Sequence, residues 1–231
     1  MHAAKLGQLP AIEALLGAGA AIDAKMPVHG GTALMVAVQH SQVGAVRALL
    51  GARADVEVED AQGWRALQWA AQLGDVGSIG LLVGAGAKAE TPAGGSALMV
   101  AVENSRVDAA SALIRAGASV DCTDAQGWSA PTIAASTGNA RMVSLLLKAG
   151  ASFGERTKGA GRTPLMAAAQ GGHHAIVELL LADRGGAAGS DAESAGAGGA
   201  GAGGAGAADS SGHVDAVDAS GVSALMLASK H

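Results

Sequence analysis

Apolar positions along the chain fall into short helical stripes separated by small-residue breaks. In Asp124–Gly150, read DAQGWSAPTIAASTGNARMVSLLLKAG, a turn leads to an Ala-rich helix, a Gly-containing break, a second apolar helix and a Gly stop. Asp60–Gly86, read DAQGWRALQWAAQLGDVGSIGLLVGAG, follows the same order. Within the second helices Val or Ile and a Leu pair recur at i, i+3 and i+4, as in Val46/Leu49/Leu50 and Val143/Leu146/Leu147. That spacing gives one buried helix face. The pattern predicts helices near 33–40 and 43–51, then 66–73 and 76–83.

The pattern repeats. Thr32, Arg65, Ser96, Ser129, Thr163 and Ser223 each open a first helix, at a period of about 33 residues with one long interval. The second residue after each opener is apolar (Leu34, Leu67, Leu98, Pro131, Leu165, Leu225). The fifth is Ala every time (Ala37, Ala70, Ala101, Ala134, Ala168, Ala228), the small residue that a close helix crossing requires. The ninth is Gly or Ser (Ser41, Gly74, Ser105, Gly138, Gly172), where the left-handed backbone can end a helix. A longer period overlies the first. GGTALMVAV at 30–38 returns as GGSALMVAV at 94–102, and DAQGW returns at the same interval, so alternate repeats should present similar surfaces.

These residues resemble the ankyrin repeat, whose signature is T-P-L-H-x-A at this period. Thr163-Pro164-Leu165-Met166-Ala167-Ala168, followed by Gly172-His173 and Ile176–Leu181, matches best. The resemblance implies an all-α solenoid of helix-turn-helix units joined by β-hairpin-like loops, with about six repeats plus a partial seventh. The signature His is replaced by Met35, Met99, Met166, Met226, Gln68 and Thr132, which predicts looser turns, and Pro131 stands where Leu is usual. On this register residues 1–184 hold repeats one to six, the first lacking its opening turn. Residues 185–212 form a Gly/Ala-rich insertion, expected to be a flexible loop because it buries too little to offset its ordering entropy. Residues 213–231 form the partial seventh repeat.

Composition supports a thin stack. Of 231 residues, 49% are hydrophobic but only 2% aromatic, and Ala, Leu and Val suffice to fill narrow seams between helix pairs. The net charge of −5 supplies no basic field for nucleic acid. Cys122 is the single cysteine, which excludes an internal disulfide and is compatible with a reducing compartment. No apolar run is long enough to span a bilayer. The N-terminal MHAAKLGQLPAIEALLGAGA reads better as a repeat than as a signal segment, because Glu13 interrupts its apolar stretch.

The motif search points away from catalysis. Gly201–Gly206 matches G-x-G-x-x-G only through its composition, with no strand before it and no helix after it. The His residues lack metal spacing, and His173 occupies a position where ankyrin repeats commonly carry His. Neither a metal nor a cofactor is expected. Trp64 and Trp128 precede openers on alternate repeats, at hairpin tips roughly 16–20 Å apart if neighbouring layers stack at 8–10 Å. Each either contacts a partner, as interface Trp often does, or lies over its own hairpin. Trp69 sits within a helix and is expected to pack. The turn entering repeat three carries Asp55, Glu57, Glu59 and Asp60, and the turn entering repeat six carries Arg156, Lys158 and Arg162. This gradient could orient a partner or be a solvated rim.

Ankyrin repeats bind through hairpin tips and the concave first-helix surface, so the resemblance nominates a binding face. Its candidates are the tips His29, Gln62, Trp64, Gln126, Trp128 and Arg162, with Gln39, His40, Gln72, Glu103 and Asn104 along the first helices. Ser136, Thr137 and Gln170 hold related positions. The expected function is protein–protein interaction by a cytoplasmic or nuclear monomer that is not an enzyme. The alternative is a targeting or regulatory segment of a larger enzyme, such as a ubiquitin ligase or a kinase.

Overall fold

The computed structural model describes residues 1–90, 96–124, 126–157, 161–187, 217–218 and 221–228. It is all-α, with paired helices in tandem repeats, and its contacts divide the chain into units 1–126 and 127–231.

In the first unit the helices are α1 His2–Lys5, α2 Leu9–Gly17, α3 Ala33–Gln39, α4 Val43–Gly51, α5 Ala66–Leu73, α6 Val76–Gly84, α7 Ala97–Glu103 and α8 Val107–Arg115. The first helices α1, α3, α5 and α7 pack side by side, and α2, α4, α6 and α8 form a second layer behind them. The second unit repeats this arrangement. Its first helices are α9 Ala130–Ser136, α11 Pro164–Gln170 and α13 Ala224–Ala228, and its second helices are α10 Ala140–Lys148 and α12 His174–Ala187. The helices predicted at 33–40, 43–51, 66–73 and 76–83 all form, within a residue at their ends. Pro131 sits in the first turn of α9, where its missing N–H costs no helical hydrogen bond.

The recurring residues have separate mechanical roles. Thr32, Ser129 and Thr163 accept, at Oγ, the backbone N–H of Met35, Thr132 and Met166, satisfying donors that a helix start leaves free. Ser96 caps α7 through Leu98 N. The fifth-position alanines Ala37, Ala70, Ala101, Ala134 and Ala168 are all 0% exposed. A larger side chain there would force adjacent first helices apart. The ninth-position residues all have positive φ: 52° at Ser41, 77° at Gly74, 55° at Ser105, 73° at Gly138 and 67° at Gly172.

Arg65 departs from this pattern and shows how the fold compensates. An Arg side chain has no acceptor, so it cannot cap α5. Instead Gln68 Oε1 accepts the Arg65 backbone N–H at 2.9 Å, the reciprocal half of a capping box. The guanidinium is buried and bonds Glu57 on one side and Glu59, at 2.9 Å, on the other. Two of the four acidic residues in that turn are therefore neutralised from within.

Three features differ from the sequence reading. Helix α12 runs to Ala187, three residues into the segment assigned to the Gly/Ala insertion, and the rest of that segment lies outside the described residues. In α13, Leu225 is 78% exposed although its counterparts Leu34, Leu67, Leu98 and Leu165 are buried. Finally, Trp69 is only half-buried and lines a surface cavity, because its position on α5 faces the first-helix surface more than the seam.

Candidate binding face

At several hairpin tips one side chain closes the turn. Asp60 is the clearest case: its N–H donates to Trp64 O at 2.9 Å, and its Oδ1 accepts from Gln62 N and Trp64 N, both at 2.9 Å. Its other oxygen accepts from Trp69 Nε1 at 2.9 Å, fastening the tip to α5. Trp64 folds over the same place, its ring centroid 4.9 Å from that of Trp69 at a tilt of 53°. A tilted pair at this distance is a favourable aromatic contact. Trp64 is thus half-buried against its own repeat. Trp128 is also half-buried.

The tips at His29 and Ala61 are joined through the backbone. Ala61 N donates to His29 O at 3.0 Å. Gly30, at φ 65°, lies so close to Ala61 that a Cβ would fall 2.8 Å from Ala61 N. Between the two tips and the first helices lies a cavity of about 260 Å³. Met26, Gly31 and His29 come from one tip, and Asp60, Ala61 and Gln62 from the next. Gln39 of α3 and Trp69 of α5 complete it. Of the nominated residues, His29, Gln39 and Gln62 converge here. Met26, Asp60 and Trp69 were missed. Of these only Asp60 belongs to the DAQGW turn; Met26 comes from the other tip, and Trp69 is joined to Asp60 by a bond spanning nine residues.

The remaining candidates are held differently. His40 Nδ1 donates to Val36 O at 3.0 Å, and Asn104 Nδ2 donates to Val100 O at 2.8 Å. Thr137 Oγ1 bonds Ile133 O, and Ser136 Oγ does the same. These side chains cap the carbonyl ends of their own helices. The Gln72 carbonyl receives Arg106 Nε at 3.0 Å. Gln126 is exposed, its N–H bonded to Asp124 Oδ1 at 2.9 Å. Glu103 is exposed, yet its carboxyl is raised above the usual range, first by partial desolvation and then by the charge of Asp124. Arg162 donates to Gln170 Oε1 and approaches Asp218 at 3.9 Å, and Arg156 donates to Val217 O. Internal partners thus occupy much of the proposed charge gradient at both turns, and Lys158 lies outside the described residues.

Burial pushes the Cys122 thiol up, and the nearby Glu90 and Asp121 add to the effect against a hydrogen bond from Ser96. Among the described residues, no group of three or more His, Cys, Asp or Glu is placed to hold a metal ion, and no helix is long and apolar enough to cross a membrane.

A further contact links successive repeats. Gln42 lies over Gly7, Arg106 over Gly74 and His173 over Gly138, so that a Cβ on each glycine would strike the covering side chain. His173 Nε2 donates to Ser136 O at 3.0 Å. Asp75 and Asn139, at the corresponding position in the alternate repeats, are short and cap their own helices through Ser78 N and Met142 N. The two-repeat period of the sequence is therefore also a mechanical one.

The family description "Ankyrin repeats (3 copies)" matches residues 1–93 and 98–193. No curated protein sequence matches the chain. Among solved structures, an ankyrin repeat domain from Acinetobacter baumannii AYE is similar at 32% identity and a TM-score of 0.73, over 79% of this chain and 96% of that one. The human ASB11 ankyrin repeat domain is similar at 24% identity and a TM-score of 0.77, over 98% and 90% of the two chains. The ankyrin repeat domain of Bcl-3, a member of the IkappaB family, is similar at 22% identity and a TM-score of 0.75, over 97% and 91%.

Proposed function

The chain belongs to the ankyrin repeat family, and on that premise we propose that it binds another protein through its hairpin tips and first-helix face, without catalysis of its own. The observation that carries this reading is the cavity between the tips at His29 and Gln62, which combines the apolar Met26, Ala61 and Trp69 with the polar His29, Gln39, Asp60 and Gln62. Stable protein interfaces have that anatomy: a few desolvated apolar or aromatic groups ringed by hydrogen-bonding ones. The tips are also held rigid, through Asp60 and through the Ala61–His29 link, which lowers the entropy cost of presenting them to a partner.

Affinity capture from native lysate tests this. The wild-type chain is compared with a His29→Ala/Gln62→Ala/Gln126→Ala variant whose helix content is checked by circular dichroism. Proteins retained by wild type and lost with the variant are the expected result. If both chains retain the same proteins, binding is placed elsewhere. If neither retains any, the interaction reading fails.

A further inference from the structure

We propose that the cavity between the His29 and Gln62 tips is an arginine receptor, taking the guanidinium of an arginine in a partner polypeptide. The proposal rests on the binding-face reading above and names what that face selects.

Charge is the first argument. Asp60 lines the cavity, and among the described residues its two carboxylate oxygens accept from neutral donors alone: Gln62 N, Trp64 N and Trp69 Nε1. Among the described residues no cation pairs with it. Its neighbour Glu59 is paired with Arg65, and Lys25 donates to the Glu59 carbonyl at 2.7 Å. Among the described residues no Lys or Arg lines the cavity. A wholly apolar occupant would strip water from Asp60 and leave its charge uncompensated, and an anion would repel it. A cation satisfies it.

The shape of the donor set is the second argument. Gln39, Gln62 and Asp60, which all carry acceptor oxygens, line the cavity together with the aromatic Trp69 and the soft apolar Met26. An ammonium is a compact point charge that cannot reach several separated acceptors at once. A guanidinium is flat and carries five N–H donors in a fixed fork, and it stacks on aromatic rings. A cavity of about 260 Å³ accommodates that group together with part of its aliphatic stem. The rigid tips, joined backbone to backbone, would present the site ready-formed.

The test titrates ¹⁵N-labelled full chain with a capped Gly-Arg-Gly peptide, beside its citrulline and lysine counterparts. The readout is the set of tryptophan indole N–H signals, with Trp69 assigned through Trp69→Phe. Citrulline keeps the shape of arginine but loses the charge. The expected result is a saturable shift of the Trp69 signal with the arginine peptide, with citrulline weaker by about tenfold or more, as befits loss of charge-assisted hydrogen bonds. Gln62→Lys places a cation on an exposed rim position and is expected to weaken the arginine peptide by a similar factor. Gln62 is exposed and only its backbone is held by Asp60, so the substitution leaves the turn intact. Equal responses to arginine and citrulline, no saturable shift, or indifference to Gln62→Lys would each overturn the proposal. Such a failure leaves the binding-face reading to the capture experiment, which makes no reference to arginine.

Discussion

At Ser41 and Ser105 the backbone is held at φ 52° and 55°, a region that disfavours any side chain with a Cβ. Other repeats place Gly there. Both serines are exposed, so their replacement removes strain without opening a cavity. Ser41→Gly and Ser105→Gly are each expected to stabilise the chain by about 0.5–1 kcal/mol, after allowing for the greater freedom of Gly in the unfolded state. Two-state denaturant unfolding measures this, and a loss of stability would contradict the strain argument. Glu103 gives a pH-dependent prediction. Its folded-state pKa is raised, so ionising it costs more in the folded chain than in the unfolded one. The penalty is complete above the raised pKa and disappears below the unfolded value of about 4.3. Glu103→Gln should therefore raise the melting temperature slightly at pH 7 and leave it unchanged near pH 3.5. The gain is only a few tenths of a kcal/mol, since the group is largely in water. A gain of equal size at both pH values would show that the effect is not ionisation.

Among the elements, the helix pair and its break were readable from the chain because every part of them is local. Openers, alanine crossings and breaks recur within one repeat, and their spacing follows from helical geometry. What could not be read is what one repeat does to the next. Nothing in TGNARMV announces that His173, one repeat further on, lies over Gly138, nor does the turn at 55–60 announce that Arg65 will be clamped between Glu57 and Glu59. The Asp60–Trp69 bond was hidden for the same reason, and with it the aromatic wall of the cavity. Two glycines of the second unit turn this distinction into an experiment. Gly138 and Gly172 have similar φ, 73° and 67°, so an added methyl strains both backbones alike. At Gly172 a Cβ meets nothing within 4 Å, whereas at Gly138 it falls 2.6 Å from His173 Cε1. Gly172→Ala should cost about 1 kcal/mol, the ordinary left-handed penalty. Gly138→Ala should cost roughly 1–2 kcal/mol more, because it dislodges the ring and its bond to Ser136 O. Adding His173→Ala to Gly138→Ala should recover part of the excess, and equal costs at the two glycines would refute the linkage.

For the molecule as a whole, stability in a repeat stack is a sum of small repeat terms and nearest-neighbour interfaces, so protection should follow how many faces each helix buries. Helices α5 and α7 of the first unit bury most of their residues, and α5 packs on both α3 and α7. By contrast α2 buries only Ile12, with Leu9 and Leu15 exposed, and α13 is five residues long with Leu225 and Met226 exposed, packed among the described residues mainly on α11. A helix of five residues has too few internal hydrogen bonds to persist by itself. Native-state hydrogen exchange should accordingly find the slowest amides of the first unit in α3, α5 and α7, faster exchange in α2, and near-unprotected amides in α13. The same measurement repeated at several protein concentrations distinguishes two causes of a contrary result. If α13 proves as protected as α11 at every concentration, contacts within the chain hold it and the exposure of Leu225 is misread. If protection of α13 or α2 rises with concentration, their exposed leucines are covered by a second copy, and the monomer expected from the sequence gives way to self-association.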